Sequence, residues 1–145
     1  MNHRFRSLLV AHGALVFLVG MLAGFPFALV LLAGAGTPPV PGDVRAWRMA
    51  HLEGVLNGLM LIGVAGVGRD IVLTQRAQGL LFWSLVITAW GNMIASIIGP
   101  VFGGRGLTFG GGVANSVMYL LFMAAVVAVI VAMVVMVRGA WRATR

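Results

Sequence analysis

Three side chains capable of chemistry crowd the stretch MAHLEGVLNG, residues 49–58: His51, Glu53 and Asn57. An imidazole offers a metal ligand or a proton acceptor, and a carboxamide offers a hydrogen bond to an oxygen gaining charge. Uninterrupted apolar sequence follows them, and ionisable groups within a lipid-facing span are costly enough to mark function. On a helix, residues three, four and seven apart share a face, so His51 shares its face with Gly54, Val55 and Gly58. Two glycines beside an imidazole leave a flat strip on which a macrocycle can lie with its metal on the histidine. Gly54-x-x-x-Gly58 is also a helix-packing motif, and on this stretch alone packing is the favoured reading. Glu53 and Asn57 share a different face, with Asn57 turned about 120° from His51 and displaced about 9 Å along the axis. Both serve one site only if a cofactor spreads over the helix or a neighbouring subunit lends one of them.

The other histidines are placed differently. His3 falls in a solvated amino-terminal tail, and His12 near the far end of the preceding span. Within one subunit His12 and His51 are too far apart to clamp one iron. A single imidazole ligand leaves a coordination position open, which suits Lewis-acid chemistry rather than electron transfer. Further along, Ser84, Thr88, Asn92 and Ser96 recur every four residues. Ser84 and Thr88 are expected to bond their own backbone. Asn92, costlier to bury, is expected to face a partner helix or a cavity. Phe82 and Trp90 read as core packing.

The elements that must position these groups are membrane helices. Of 145 residues, 61% are hydrophobic and 9% charged, more apolar surface than so small a soluble domain can bury. Four apolar runs, about 8–35, 50–67, 79–98 and 113–137, are each long enough to cross a hydrocarbon core at roughly 20 residues per helix. The fold class expected is all-α, one four-helix transmembrane bundle occupying residues 1–145. Asp43, closing the proline-rich linker GTPPVPGDV (36–44), is placed to cap the second helix. GPVFGGRGLTFGGG (99–112) is a glycine-rich loop.

The net charge of +7 comes from arginine alone, and cysteine is absent, which excludes disulfides and thiolate metal sites. The arginines flank the apolar runs, so they read as topology signals rather than as a nucleic-acid surface. If four helices alternate, Arg4, Arg6, Arg69, Arg76, Arg138, Arg142 and Arg145 fall on one side and Arg45, Arg48 and Arg105 on the other. That excess predicts a multi-pass protein of a bacterial-type inner membrane with both termini in the cytoplasm.

AHGALVFLVGMLAG (11–24), WRMAHLEGVLNGLMLIGVA (47–65), AWGN (89–92) and RGLTFG (105–110) resemble the styrene oxide isomerase and hydroxylaminobenzene mutase family of small membrane isomerases. The resemblance implies a homotrimer holding ferric haem b, with His51 as the axial iron ligand. It also implies an epoxide oxygen received by the iron and positioned by Asn57. Ser96 stands where the family has a tyrosine, and Thr88 where it has an acidic residue. HLEGVLNG and the small hydroxyl at position 96 are closer to the mutase branch, and RGLTFG to the styrene oxide branch.

On this reading the catalytic candidates are Asn57, Asn92 and Ser96. Trp47, Gly54 and Gly58 surround the cofactor, and Arg48 and Arg105 meet its propionates through their forked donors. Glu53 is a partner for an imidazole or for Arg48. The reaction expected is rearrangement of a small apolar aromatic epoxide to an aldehyde by a 1,2-hydride shift, within a water-excluding pocket. The alternatives are conversion of an aryl hydroxylamine to an aminophenol, a b-type electron carrier, and a haem-free transporter using Glu53 as its proton site.

Overall fold

The computed structural model describes residues 1–34 and 36–145. It contains four helices, α1 (His3–Ala33), α2 (Val44–Val67), α3 (Gln75–Phe102) and α4 (Val113–Ala143), all long and apolar enough to cross a membrane. Each extends past its expected apolar run at one end or both, because the residues flanking the run continue the helical turns. The first helix therefore takes in His3, which the sequence reading left in a tail, while Ala35, the expected end of that span, lies outside the described residues. Asp43 caps α2 as expected, its carboxylate accepting from the Ala46 amide at 2.7 Å. Thr74 does the same for α3.

α1 and α2 form a tight antiparallel pair. The buried residues of α1 are Leu9, Gly13, Val16, Gly20, Ala23 and Val30, spaced by fours and threes and finally a seven, which keeps one seam on its neighbour. Glycine meets glycine along that seam. A Cβ on Gly20 would lie 2.6 Å from the Gly54 Cα, and one on Gly13 would lie 2.8 Å from the Gly58 carbonyl oxygen. Backbone-to-backbone approach of this kind is how membrane helices associate when lipid is as apolar as their side chains.

α3 is the most buried helix and contacts all three others, whereas α4 packs on α3 alone among the helices. The expected all-α four-helix bundle is thus a layered arrangement, with α4 resting on the outside of α3. The buried stripe of α4 is Met118, Ala125, Ala128, Ala132, Val135 and Gly139, again spaced by threes, fours and sevens. Gly91 of α3 admits the Leu121 backbone beside it. Thr88 donates to the Ser84 carbonyl at 2.8 Å and to the Ala125 carbonyl of α4 at 3.3 Å, a largely structural role, as expected.

Two sets of polar ties hold the helix ends. At one end the Val72 amide donates to the Gly139 carbonyl, and Arg6 donates through Nε to the Ala65 carbonyl at 2.8 Å. At the other, one side chain organises the glycine-rich loop. The Asn115 Oδ1 accepts from the amides of Arg105 and Gly106, and its Nδ2 donates to the carbonyls of Thr108 and Gly110. Gly104 and Gly106, at φ 99° and 62°, let the chain make that fold around Arg105.

Candidate active site

His51 projects from the flank of α2 that meets α1. Its Nδ1 lies 2.9 Å from the Gly20 carbonyl oxygen. A carbonyl only accepts, so Nδ1 carries the proton, and in the neutral ring the Nε2 lone pair is left free. Metal-bound histidines are prepared in this way, one nitrogen anchored to the backbone and the other presented to the metal. The ring is held by a near-parallel Phe27, centroids 6.2 Å apart at 21°. Gly24 makes room for it, since a Cβ there would lie 3.1 Å from Nδ1. The sequence reading missed Gly20, Gly24 and Phe27; their positions one turn or two apart on α1 were the available signal.

Asn57 projects from the opposite flank, toward α3. Its Nδ2 donates to the Glu53 carbonyl at 2.8 Å and to the Glu53 carboxylate at 2.7 Å, and its Oδ1 accepts from Asn92 at a long 3.5 Å. Both donors of Asn57 are therefore engaged by Glu53. Asn92 carries two N–H groups, one of them aimed at Asn57, and Ser96 lies one turn further along the same face of α3. Ser96 is buried, and its hydroxyl has no hydrogen-bond partner among the described residues. The three catalytic candidates thus share one side of the protein. His51 does not join them.

Several expectations are corrected. Gly54 and Gly58 are not an open strip beside His51: α1 covers both, so they serve the helix packing that was the favoured reading of that motif. Trp47 is buried in the core, and its indole N–H donates to the Pro41 carbonyl at 2.7 Å, so it anchors the linker. Glu53 bonds Asn57, not an imidazole or Arg48. Arg48 and Arg105 are separated. Arg48 lies along an outer groove with Glu53, Leu52 and Leu56, whereas Arg105 lines a cleft with Ser96, and Arg45 borders both. His12 accepts at Nδ1 from the Trp90 indole at 3.1 Å, which gives Trp90 a polar partner that a pure packing role did not foresee.

The profile of the styrene oxide isomerase family matches residues 5–141. The chain belongs to this family. It is 30% identical over 117 residues to a styrene-oxide isomerase of Pseudomonas fluorescens, an alignment covering 76% of this chain and 69% of that relative. It is also 30% identical over 94 residues to the hydroxylaminobenzene mutase HabB of Ectopseudomonas oleovorans, covering 65% of this chain and 51% of the mutase. Membership of the styrene oxide isomerase family places the chain among isomerases, and its four apolar helices make it a multi-pass membrane protein. The family match spans all four helices, including α4, where the sequence resemblance was weakest.

Proposed function

We propose that this isomerase binds ferric haem b through His51 Nε2 and rearranges a small aromatic epoxide to the aldehyde. The observation that carries this reading is the His51–Gly20 bond, which leaves a single fixed imidazole nitrogen as a donor suited to haem iron. Arg48, one turn before His51 on α2, is the residue nearest in register to meet a propionate. Held there, ferric haem would supply Lewis acidity toward an epoxide oxygen, chemistry suited to a 1,2-hydride shift that needs no net electron or added reagent.

The chain's own residues do the rest. Asn92, oriented through Asn57 and Glu53, presents an N–H to the substrate oxygen as it gains charge. Ser96 lies one turn further along the same face. The apolar surroundings exclude the water that would otherwise trap a cationic carbon as a diol. Because His51 and this polar face diverge around α2, the complete site requires two copies, one giving His51 and its neighbour giving Asn57, Asn92 and Ser96. That favours an oligomer closed by rotation, a homotrimer on the family's pattern, in a bacterial-type inner membrane with cytoplasmic termini.

The similarity to hydroxylaminobenzene mutase supports a second substrate class, aryl hydroxylamines, handled by the same residues. Turnover of styrene oxide and of phenylhydroxylamine by the same preparation separates the two. The haem reading is tested by absorbance of detergent-purified protein. A Soret band is expected in wild type and in His12→Ala and lost in His51→Ala. No band after haem supplementation overturns the reading and favours a haem-free helical transporter. A low-spin bis-imidazole spectrum favours an electron carrier.

A further inference from the structure

At the loop end of the protein a cleft of about 50 Å³ runs between α2, α3 and α4. Met49, Met118, Phe122 and Leu107 form its apolar walls, while Arg45, Arg105 and Ser96 bring polar groups to it. It continues into a wider vestibule of about 490 Å³ that shares Arg45 and Arg105 and also contains Asp43. The Asp43 carboxylate caps α2.

Three features of the cleft call for a ligand. Ser96 is 3% exposed, and its hydroxyl is unpartnered among the described residues. A serine in a membrane helix usually bonds the carbonyl one turn back, as Thr88 does here, so the Ser96 proton is held available. Two guanidinium-bearing residues line the same small volume, and Asn115 fixes the backbone that carries Arg105. The walls include two methionines, side chains that shift readily around an incoming group.

Two forked cations and a hydroxyl donor match a planar carboxylate, a group of a size for this cleft, and the adjoining vestibule of about 490 Å³ leaves room for the ring attached to it. We infer that this cleft binds the carboxylate of a small aromatic acid, held by Arg45, Arg105 and the Ser96 hydroxyl. In the isomerase, such a group is an anionic ring substituent of a substrate or product, recognised on the face that carries Asn57 and Asn92. A porphyrin propionate carries the same chemistry and is the other source of that carboxylate. Binding of the free acid stands without the haem reading, because benzoate needs no metal.

The experiment titrates purified protein in neutral detergent, without and with added haem, using benzoate and its neutral amide, followed by calorimetry. Saturable benzoate binding is expected, with benzamide weaker by about tenfold or more. Arg45→Gln and Arg105→Gln each weaken benzoate by about tenfold and Ser96→Ala by about threefold, whereas Arg69→Gln at the opposite end changes nothing. Unchanged circular dichroism shows that the exposed arginine variants remain folded. Benzoate binding of equal strength with and without haem assigns the carboxylate to a free acid. Benzoate binding that haem abolishes, together with uptake of haem dimethyl ester about tenfold weaker than uptake of haem at the Soret band, assigns it to a propionate. Equal binding of benzoate and benzamide, absence of saturable binding, or equal weakening by Arg69→Gln overturns the site. A protein that takes up no haem yet binds benzoate through Arg105 leaves this site standing while the haem reading falls.

Discussion

The two flanks of α2 are built on opposite principles. Toward α1 it is a seam of glycine against glycine, closed to any ligand, with His51 anchored at its edge by a backbone carbonyl. Toward α3 and α4 it is polar and open, with a chain from Glu53 through Asn57 to Asn92, an unsatisfied Ser96 and an arginine-lined cleft. The closed flank fixes geometry by excluded volume. The open flank leaves hydrogen-bonding capacity unused, a cost to folding that makes sense only if something else is to be bound.

Substitutions can break this contrast. The largest effect is expected on the closed flank. Gly54→Val drives a branched side chain into the Gly20 backbone and should cost about 3 kcal/mol or more, seen as loss of cooperative unfolding in mixed micelles. If stability is unaffected, the seam is not packed as described. Asn115→Ala removes four hydrogen bonds from the loop and should cost about 2 kcal/mol, with cleavage near 103–112 in limited proteolysis preceding any global change.

Smaller effects belong to the open flank. Ser96→Ala removes a buried hydroxyl that nothing satisfies, so stability should hold or rise by about 1 kcal/mol while turnover falls. A loss of stability there would mean that the hydroxyl is already paired. The smallest shift is expected for Thr88→Val, which loses the link to Ala125 of α4 and should cost about 0.6 kcal/mol, leaving turnover intact.

Much of this was legible in the sequence, and the limits have physical reasons. Length and hydropathy were enough for four helices, and Asp43 could be read as a cap because capping is local chemistry. That Glu53 and Asn57 share a face follows from their spacing of four, but not that they bond each other, since the carboxylate was expected to meet an imidazole or Arg48. The divergence of Asn57 from His51 could likewise be counted around one helix. Partners on other helices could not. Gly54 and Gly58 carried two readings until Gly20 and Gly13 were found opposite them. Arg105 could be assigned to the same end of the bundle as Arg48, but that it shares its cleft with Arg45 depends on how loop and helix register meet. Between Asn115 and Ser116 at its start and Arg138 near its end, α4 is apolar on nearly every side, so no pattern announced that it would rest on α3 alone among the helices.

The clasp made by Asn115 has a practical corollary for directed evolution. Arg105 sits between two positions that tolerate only glycine, so randomising residues 104 and 106 should yield mostly misrouted chains. Leu107 and Phe109, respectively 70% and 68% exposed, hang from the same framework without shaping it. A compact library over those two, with Asn115 untouched, would retune what the enzyme admits while sparing the scaffold.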